Sequence, residues 1–472
     1  MLWKNASYRQ DNRRSRIHVR KSMIATTLLL AVASGAAVFA GSNLPNPLIT
    51  VNGSGLMSTY STVGGIDTSS PFFQSLGTNG RSCASCHQPG DGWTVTPPHI
   101  QARFYFSAGN DPIFRPNDGA NCPSADVSTF ETRKSTYSLL LTKGLIRVSL
   151  PVPVSADFTI RDIQDPYACP ETTNSQPAMY RRPLPSTNLA FLATLMWDGR
   201  ETFAAQAISA DLAHQAIDAT LGHAQAAAPP TTEQVSQIVA FESALYTAQT
   251  YDWKAGDLTS QGAIGGPKNL SAQPFYLGIN DVLGADPTGA TFNPLVFSAY
   301  DGWTNSTGKQ AAIRQSIARG ETLFNKFPIT ITGVAGLNDL PGLQIVNGTC
   351  TTCHDTPNAG NHSLSLAIKI GTTDFPAVPA LDTTGLPVYT VTCANGSQLK
   401  VTDIGRAMVT GKCSDVGKLK GPILRGLAAR APYFHNGGAR TLLDVVDFYD
   451  QRFSLKLTNQ QKHDLVNFLN VL

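Results

Sequence analysis

Two short runs of this chain have the residue types and spacing to hold a cofactor covalently. They are Cys83-Ala84-Ser85-Cys86-His87 and Cys350-Thr351-Thr352-Cys353-His354. Two thiols at this spacing can add to the two vinyl groups of one haem, and the histidine that follows can reach the iron as its proximal ligand. A single run of this kind could be chance, or half of a zinc site. Two of them, with no further Cys/His pair at zinc spacing, point to two covalent haem c groups. Cys83, Cys86, Cys350 and Cys353 would be the attachment points, and His87 and His354 the iron ligands. Four cysteines remain: Cys122, Cys169, Cys393 and Cys413. In an oxidising compartment they are expected to pair. Each pair stays on its own side of the second motif, so Cys122–Cys169 and Cys393–Cys413 are the predicted bridges, with free buried thiols as the alternative. The second bridge would close a loop worth about 3 kcal/mol.

The elements that must position these groups are spread over 472 residues, 42% hydrophobic and 15% charged, with 40 glycines and 30 prolines. The N-terminus reads as an export segment over residues 1–40. A basic stretch (Lys4, Arg9, Arg13, Arg14, Arg16, Arg20, Lys21) precedes an apolar run from Met23 to Ala40 that ends in Val38-Phe39-Ala40. The alternative is an uncleaved membrane anchor. Cleavage after Ala40 would remove seven basic residues and one acidic residue, turning the formal charge from +3 to about −3. No basic patch then remains to argue for a nucleic-acid partner. The expected location is the periplasm.

The haem motifs lie too far apart for one haem-binding fold. Two haem c domains are therefore expected, at 42–303 and 304–472. The predicted fold class is mainly α, two cytochrome c-like domains with long irregular loops and few short strands. Apolar residues at helical spacing predict a helix over 310–324, and others are predicted at Thr202–Ile217, Thr232–Ala248, Thr441–Arg452 and Gln460–Leu472, with Thr441 and Thr458 as N-caps. Segments 101–130, 150–188, 255–309 and 370–400, rich in Pro, Gly, Asn and Thr, read as loops or short strands.

Together with the two CxxCH runs, Met196-Trp197-Asp198-Gly199-Arg200, Gly421-Pro422-Ile423-Leu424-Arg425-Gly426-Leu427 and Ala431-Pro432-Tyr433-Phe434-His435-Asn436-Gly437-Gly438 complete a pattern. In order and spacing the set resembles the bacterial di-haem cytochrome c peroxidases and their MauG-like relatives. The resemblance implies that the haem on His87 meets peroxide and that the haem on His354 accepts electrons and relays them. It puts Trp197 between the haems, where an ordinary core tryptophan is the alternative. Gln206 falls one residue from a glutamine of the family's peroxide pocket. The family's distal glutamate is missing, and His223 or His214 could replace it as acid–base group. Tyr449 stands where the peroxidases have a methionine ligand and MauG-like members a tyrosine, so it is the expected sixth ligand of the second haem, with Met408 as the alternative. His99 lies near a position where some members carry a removable ligand. His435 is expected near the contact between the halves. The family's calcium uses an asparagine where this chain has Arg182, which puts calcium in doubt, although carbonyls near Arg430 and Pro432 could still supply ligands.

Three functions follow as expectations. The first is reduction of hydrogen peroxide with electrons from a small cytochrome c or cupredoxin, in a chain that could act as a homodimer. The second is a MauG-like oxidase that uses peroxide against a protein or organic substrate. The third is plain electron transfer.

Overall fold

The computed structural model describes residues 43–204 and 206–472. The predicted export segment therefore lies outside the described residues. Of these residues 29% are helical and 16% extended, in many small antiparallel sheets. The expectation of a mainly α, cytochrome c-like fold is thereby corrected. The physical reason lies in segments whose β-branched and aromatic residues favour strands. Leu245–Asp252 is one. The helix predicted over Thr232–Ala248 stops at Ser243, and the chain runs on as this strand to pair with Gly55–Ser61, Thr59 opposite Thr247. Leu48–Val51 and Gly256–Asp257 complete a four-stranded sheet.

A second sheet joins distant parts of the chain. Val388–Cys393 lies between Phe158–Gln164 and Gln398–Val401, with Val391 opposite Ile160 on one side and Leu399 on the other. Its buried face, with Phe158, Ile160, Tyr389, Val391 and Val401, packs on Met408 and Cys413. The Cys393–Cys413 bridge closes the edge of this layer, and Cys122–Cys169 ties the first half, both in the predicted pairing.

The helices do the positioning. Ala311–Lys326 presents Ile313, Ile317 and Phe324 to the core, one helical stripe. It packs against Asn459–Asn470 so closely at Gly320 that an added Cβ would stand 2.0 Å from the Asp464 carbonyl oxygen. Leu442–Phe453 and Asn459–Asn470 start at the predicted caps, where the Thr441 and Thr458 hydroxyls accept from the Asp444 and Gln461 backbone N–H. The helix expected at Thr202–Ile217 begins later and covers Ile208–Gly222. One helix, Pro97–Ser107, overlaps a segment read as loop. Its two prolines sit in the first turn, where a missing N–H costs nothing. No helix among the described residues is long and apolar enough to cross a membrane.

Candidate haem sites

Both CxxCH runs take the same local form. Cys83–Ser85 and Cys350–Thr352 are single 3₁₀ turns. In each, the residue before the first cysteine donates its N–H to a hydroxyl three residues on, Ser82 to Ser85 and Thr349 to Thr352, both at 3.0 Å. Each histidine N–H then returns to the carbonyl of the first cysteine. The imidazoles are oriented alike as well. His87 Nδ1 lies 2.9 Å from the Trp93 carbonyl oxygen, and His354 Nδ1 lies 2.5 Å from that of Gly360. A donated Nδ1–H fixes the tautomer and leaves Nε2 as the free ligand atom. Aromatic packing holds both rings, Phe72 against His87 and Phe324 against His354. All four thiols are unbridged. The donor set and its orientation fit two haem c groups.

Around the first run lies a large cavity, with about 1600 Å³ free of atoms, part of it open to solvent. Cys83, Cys86, His87, Trp197 and His223 all line it. His223 Nδ1 pairs with Asp118, which also receives the buried Arg81 guanidinium. This chain of contacts points the other imidazole nitrogen away from Asp118, and burial lowers the His87 pKa while the hydrogen bond to the Trp93 carbonyl raises it in part. Trp197 donates Nε1–H to the Arg182 carbonyl at 2.8 Å, and its ring meets that of His435 edge-on, centroids 6.1 Å apart. The tryptophan thus stands between the cavity and the Pro432–Gly438 stretch.

Other predicted residues are placed elsewhere. Gln206 is exposed and does not line the cavity. His214 is half-exposed and pairs with Glu201 at 2.7 Å, outside the cavity. His99 pairs with Asp91 at 2.6 Å. Met408 is buried in the sheet layer described above, among Phe158, Tyr389 and Val401. Tyr449, by contrast, belongs to the second run. Its ring stacks on Phe453 and lies near Phe434. Burial pushes its phenol well up, and the Cys353 and Cys350 sulfurs push in the same direction. No hydrogen bond to the phenol is formed among the described residues.

Three groups of the first cavity were not singled out from the sequence. Lys420 is buried with only the Thr194 carbonyl as partner, and burial pulls it down to about 7. With Arg200 and Arg430 it gives the cavity a basic edge suited to the carboxylates of a haem. Glu242 is buried against the same cavity, its Oε2 unpartnered, and burial pushes it up to about 8, so it is a neutral acid near pH 7. Gln215 lines the cavity from the helix Ile208–Gly222, on which Gln206 does not lie. None has a local sequence signal, because their partners are remote in the chain.

The calcium question has a direct answer in Arg182. Its guanidinium is buried and donates to the Lys143, Val95 and Arg430 carbonyls at 2.8, 2.8 and 3.0 Å. The carbonyls around the expected calcium position are thus satisfied by a fixed side-chain cation, and calcium does not fit there.

Known proteins agree with the motif pattern. No family model matches the chain. Cytochrome-c peroxidase IdrP1 of Pseudomonas sp. is 31% identical over 194 residues, 37% of this chain and 43% of that protein. Cytochrome-c peroxidase IdrP2 of Denitromonas iodatirespirans is 32% identical over 135 residues, 26% of this chain and 36% of its own length. Over these stretches the chain is similar to bacterial cytochrome-c peroxidases. Cytochrome c551 peroxidase of Nitrosomonas europaea matches more broadly, 24% identical over 54% of this chain and 69% of that enzyme. This cytochrome-c peroxidase relative spans less than half the length of the first two proteins it matches. A solved MauG-like protein associated with microbial copper homeostasis aligns over 85% of each chain at 16% identity, with a TM-score of 0.36, too weak a likeness to argue from.

Proposed function

We propose that this chain is an exported di-haem peroxidase. Hydrogen peroxide, two electrons and two protons would give two waters, the electrons arriving one at a time from a small cytochrome c or cupredoxin. The observation that carries the reading is the first cavity, which holds the free face of His87, the Trp197 ring and a histidine fixed by a carboxylate. Bound haem would supply the redox iron on which the peroxide O–O bond is broken. The protein's part is acid–base and positional. His223, held by Asp118, would move a proton from the near to the far oxygen. Trp197 would shorten the electron path from the half that carries His354. Lys420, Arg200 and Arg430 would hold the haem carboxylates.

The three peroxidases named above support peroxide as the substrate class. The division into residues 42–303 around His87 and 304–472 around His354 belongs to the same proposal, as does periplasmic location. One observation favours a second reading. The Tyr449 phenol, unpartnered beside the second motif, suits a hard anionic ligand, which favours high oxidation states over ready electron delivery. That would turn the chain toward a MauG-like oxidase. Mixing the purified haem-loaded protein with peroxide and reduced cytochrome c decides between them. Steady oxidation of the cytochrome supports the peroxidase. A long-lived oxidised state of the protein without cytochrome turnover supports the oxidase.

A further inference from the structure

Behind the second motif lies a charged cluster that the peroxidase reading does not use. Asp281 and Asp355 are fully buried (0% exposed), and His362 is 5% exposed. One ligand atom from each lies within 4.8 Å of the other two. Each carboxylate spends one oxygen on its own loop. Asp281 Oδ2 accepts from the Ala285 N–H at 2.9 Å, and Asp355 Oδ1 from the Ser363 N–H at 2.6 Å. The second oxygens, Asp281 Oδ1 and Asp355 Oδ2, are buried with no hydrogen-bond partner. Among the described residues no lysine or arginine pairs with either carboxylate. The one basic neighbour is His362, whose Nδ1 stands 3.4 Å from the free Asp355 oxygen.

Two carboxylates stripped of water, each with an oxygen that meets no donor, are costly to bury without a cation. We propose that Asp281, Asp355 and His362 bind one divalent transition-metal ion of the zinc or manganese type. The donor set decides the class. Carboxylate oxygens alone would suit calcium or magnesium, whereas an imidazole beside them suits a first-row transition ion. Binding through His362 Nδ1 would exchange its long contact with the Leu364 N–H, 3.2 Å, for a coordinate bond. The site shares no residue with the carbonyls that the Arg182 guanidinium meets.

The ion would pin two loops that already touch. The Gly278 N–H donates to the Ser363 carbonyl, and the Asn280 amide to the Asp355 carbonyl, both at 3.0 Å. Asp355 directly follows His354, so the ion would brace the turn that aims that imidazole.

The test is elemental analysis of the full haem-loaded protein, equilibrated with zinc or with manganese and then dialysed into metal-free buffer. About one equivalent per chain is expected in the native protein, and at least about tenfold less in Asp281→Asn. Zinc-edge X-ray absorption of the unaltered protein should show nitrogen and oxygen neighbours without sulfur, which keeps the question decidable if Asp281→Asn fails to fold. His362→Gln serves as the second variant. Native protein that retains neither ion overturns the proposal, and so does stoichiometric calcium in their place. An ion kept by Asp281→Asn but lost by His214→Ala would sit on the group formed by the buried Glu201 and the exposed His214 and Asp218 instead, and would also overturn it.

Discussion

The two CxxCH regions start from the same half-site and end in different surroundings. In both, a 3₁₀ turn, a hydroxyl three residues on and a backbone carbonyl behind the imidazole set the histidine. Across from His87 the cavity is wide, basic at its edge and equipped with His223 on an Asp118–Arg81 support. Around the second run stand Tyr449, Phe453 and Phe434, an aromatic setting in which the Tyr449 phenol forms no hydrogen bond among the described residues. The half that holds a haem is local and repeats. The half that decides what the haem can do is assembled from remote segments and does not.

The comparison can be broken most directly at its shared half. Replacing Cys83 and Cys86 by serine should remove one of two haem equivalents and abolish peroxide turnover, and the matching change at Cys350 and Cys353 should remove the other. A pyridine haemochrome assay that finds both equivalents in either variant would show that the two half-sites are not the attachment points. The unshared half should respond next. His223→Ala is expected to lower peroxide turnover by about 10²–10⁴-fold with haem content intact, while His214→Ala and Gln206→Ala stay near native. Equal losses at His223 and His214 would remove the distinction drawn from the cavity lining.

Tyr449→Phe should alter the electron paramagnetic resonance signature of one ferric haem only. An unchanged spectrum means that the phenol is no ligand. Trp197→Phe leaves the Arg182 carbonyl short of its indole donor, a cost of about 1–3 kcal/mol. It should slow transfer between the haems, read by rapid mixing, with both optical spectra unchanged.

The smallest effect expected is in acid. Burial alone would raise Asp198, but Arg181 and Arg200 hold it at about 2, below its ordinary 3.8. A carboxylate held down in the folded state stabilises the protein above the unfolded pKa, and that stability is lost as the pH falls from about 4 toward 2. The shift corresponds to roughly 2 kcal/mol. Unfolding followed by fluorescence should steepen in that window for the native protein and flatten in Asp198→Asn. A flat native profile would mean that the Arg181–Asp198–Asp403 network contributes nothing there.

The helix with a clear apolar stripe, Ala311–Lys326, and the two with a threonine cap, Leu442–Phe453 and Asn459–Asn470, lie within two residues of where the sequence puts them. The helix predicted over Thr232–Ala248 takes in the first four residues of the strand Leu245–Asp252, and pairing with Gly55–Ser61 favours the extended form there. Gln206 lies outside the cavity lining for a similar reason. The helix that carries Gln215 into the cavity starts at Ile208, so a glutamine two residues earlier is left outside.

By itself the sequence determined both disulfide pairings and the helices with strong periodicity, and it supplied the two CxxCH runs on which the haem proposal stands. Each of these is a relation among near neighbours, or a count of cysteines, and needs no folded chain to be expressed. The tertiary structure alone decided that His223 rather than His214 or Gln206 lines the first cavity, that the Arg182 guanidinium is satisfied by the Lys143, Val95 and Arg430 carbonyls, and that Asp281 meets Asp355. Those are contacts between residues up to 248 positions apart, fixed by which buried faces pack together, and burial is also what sets their charge.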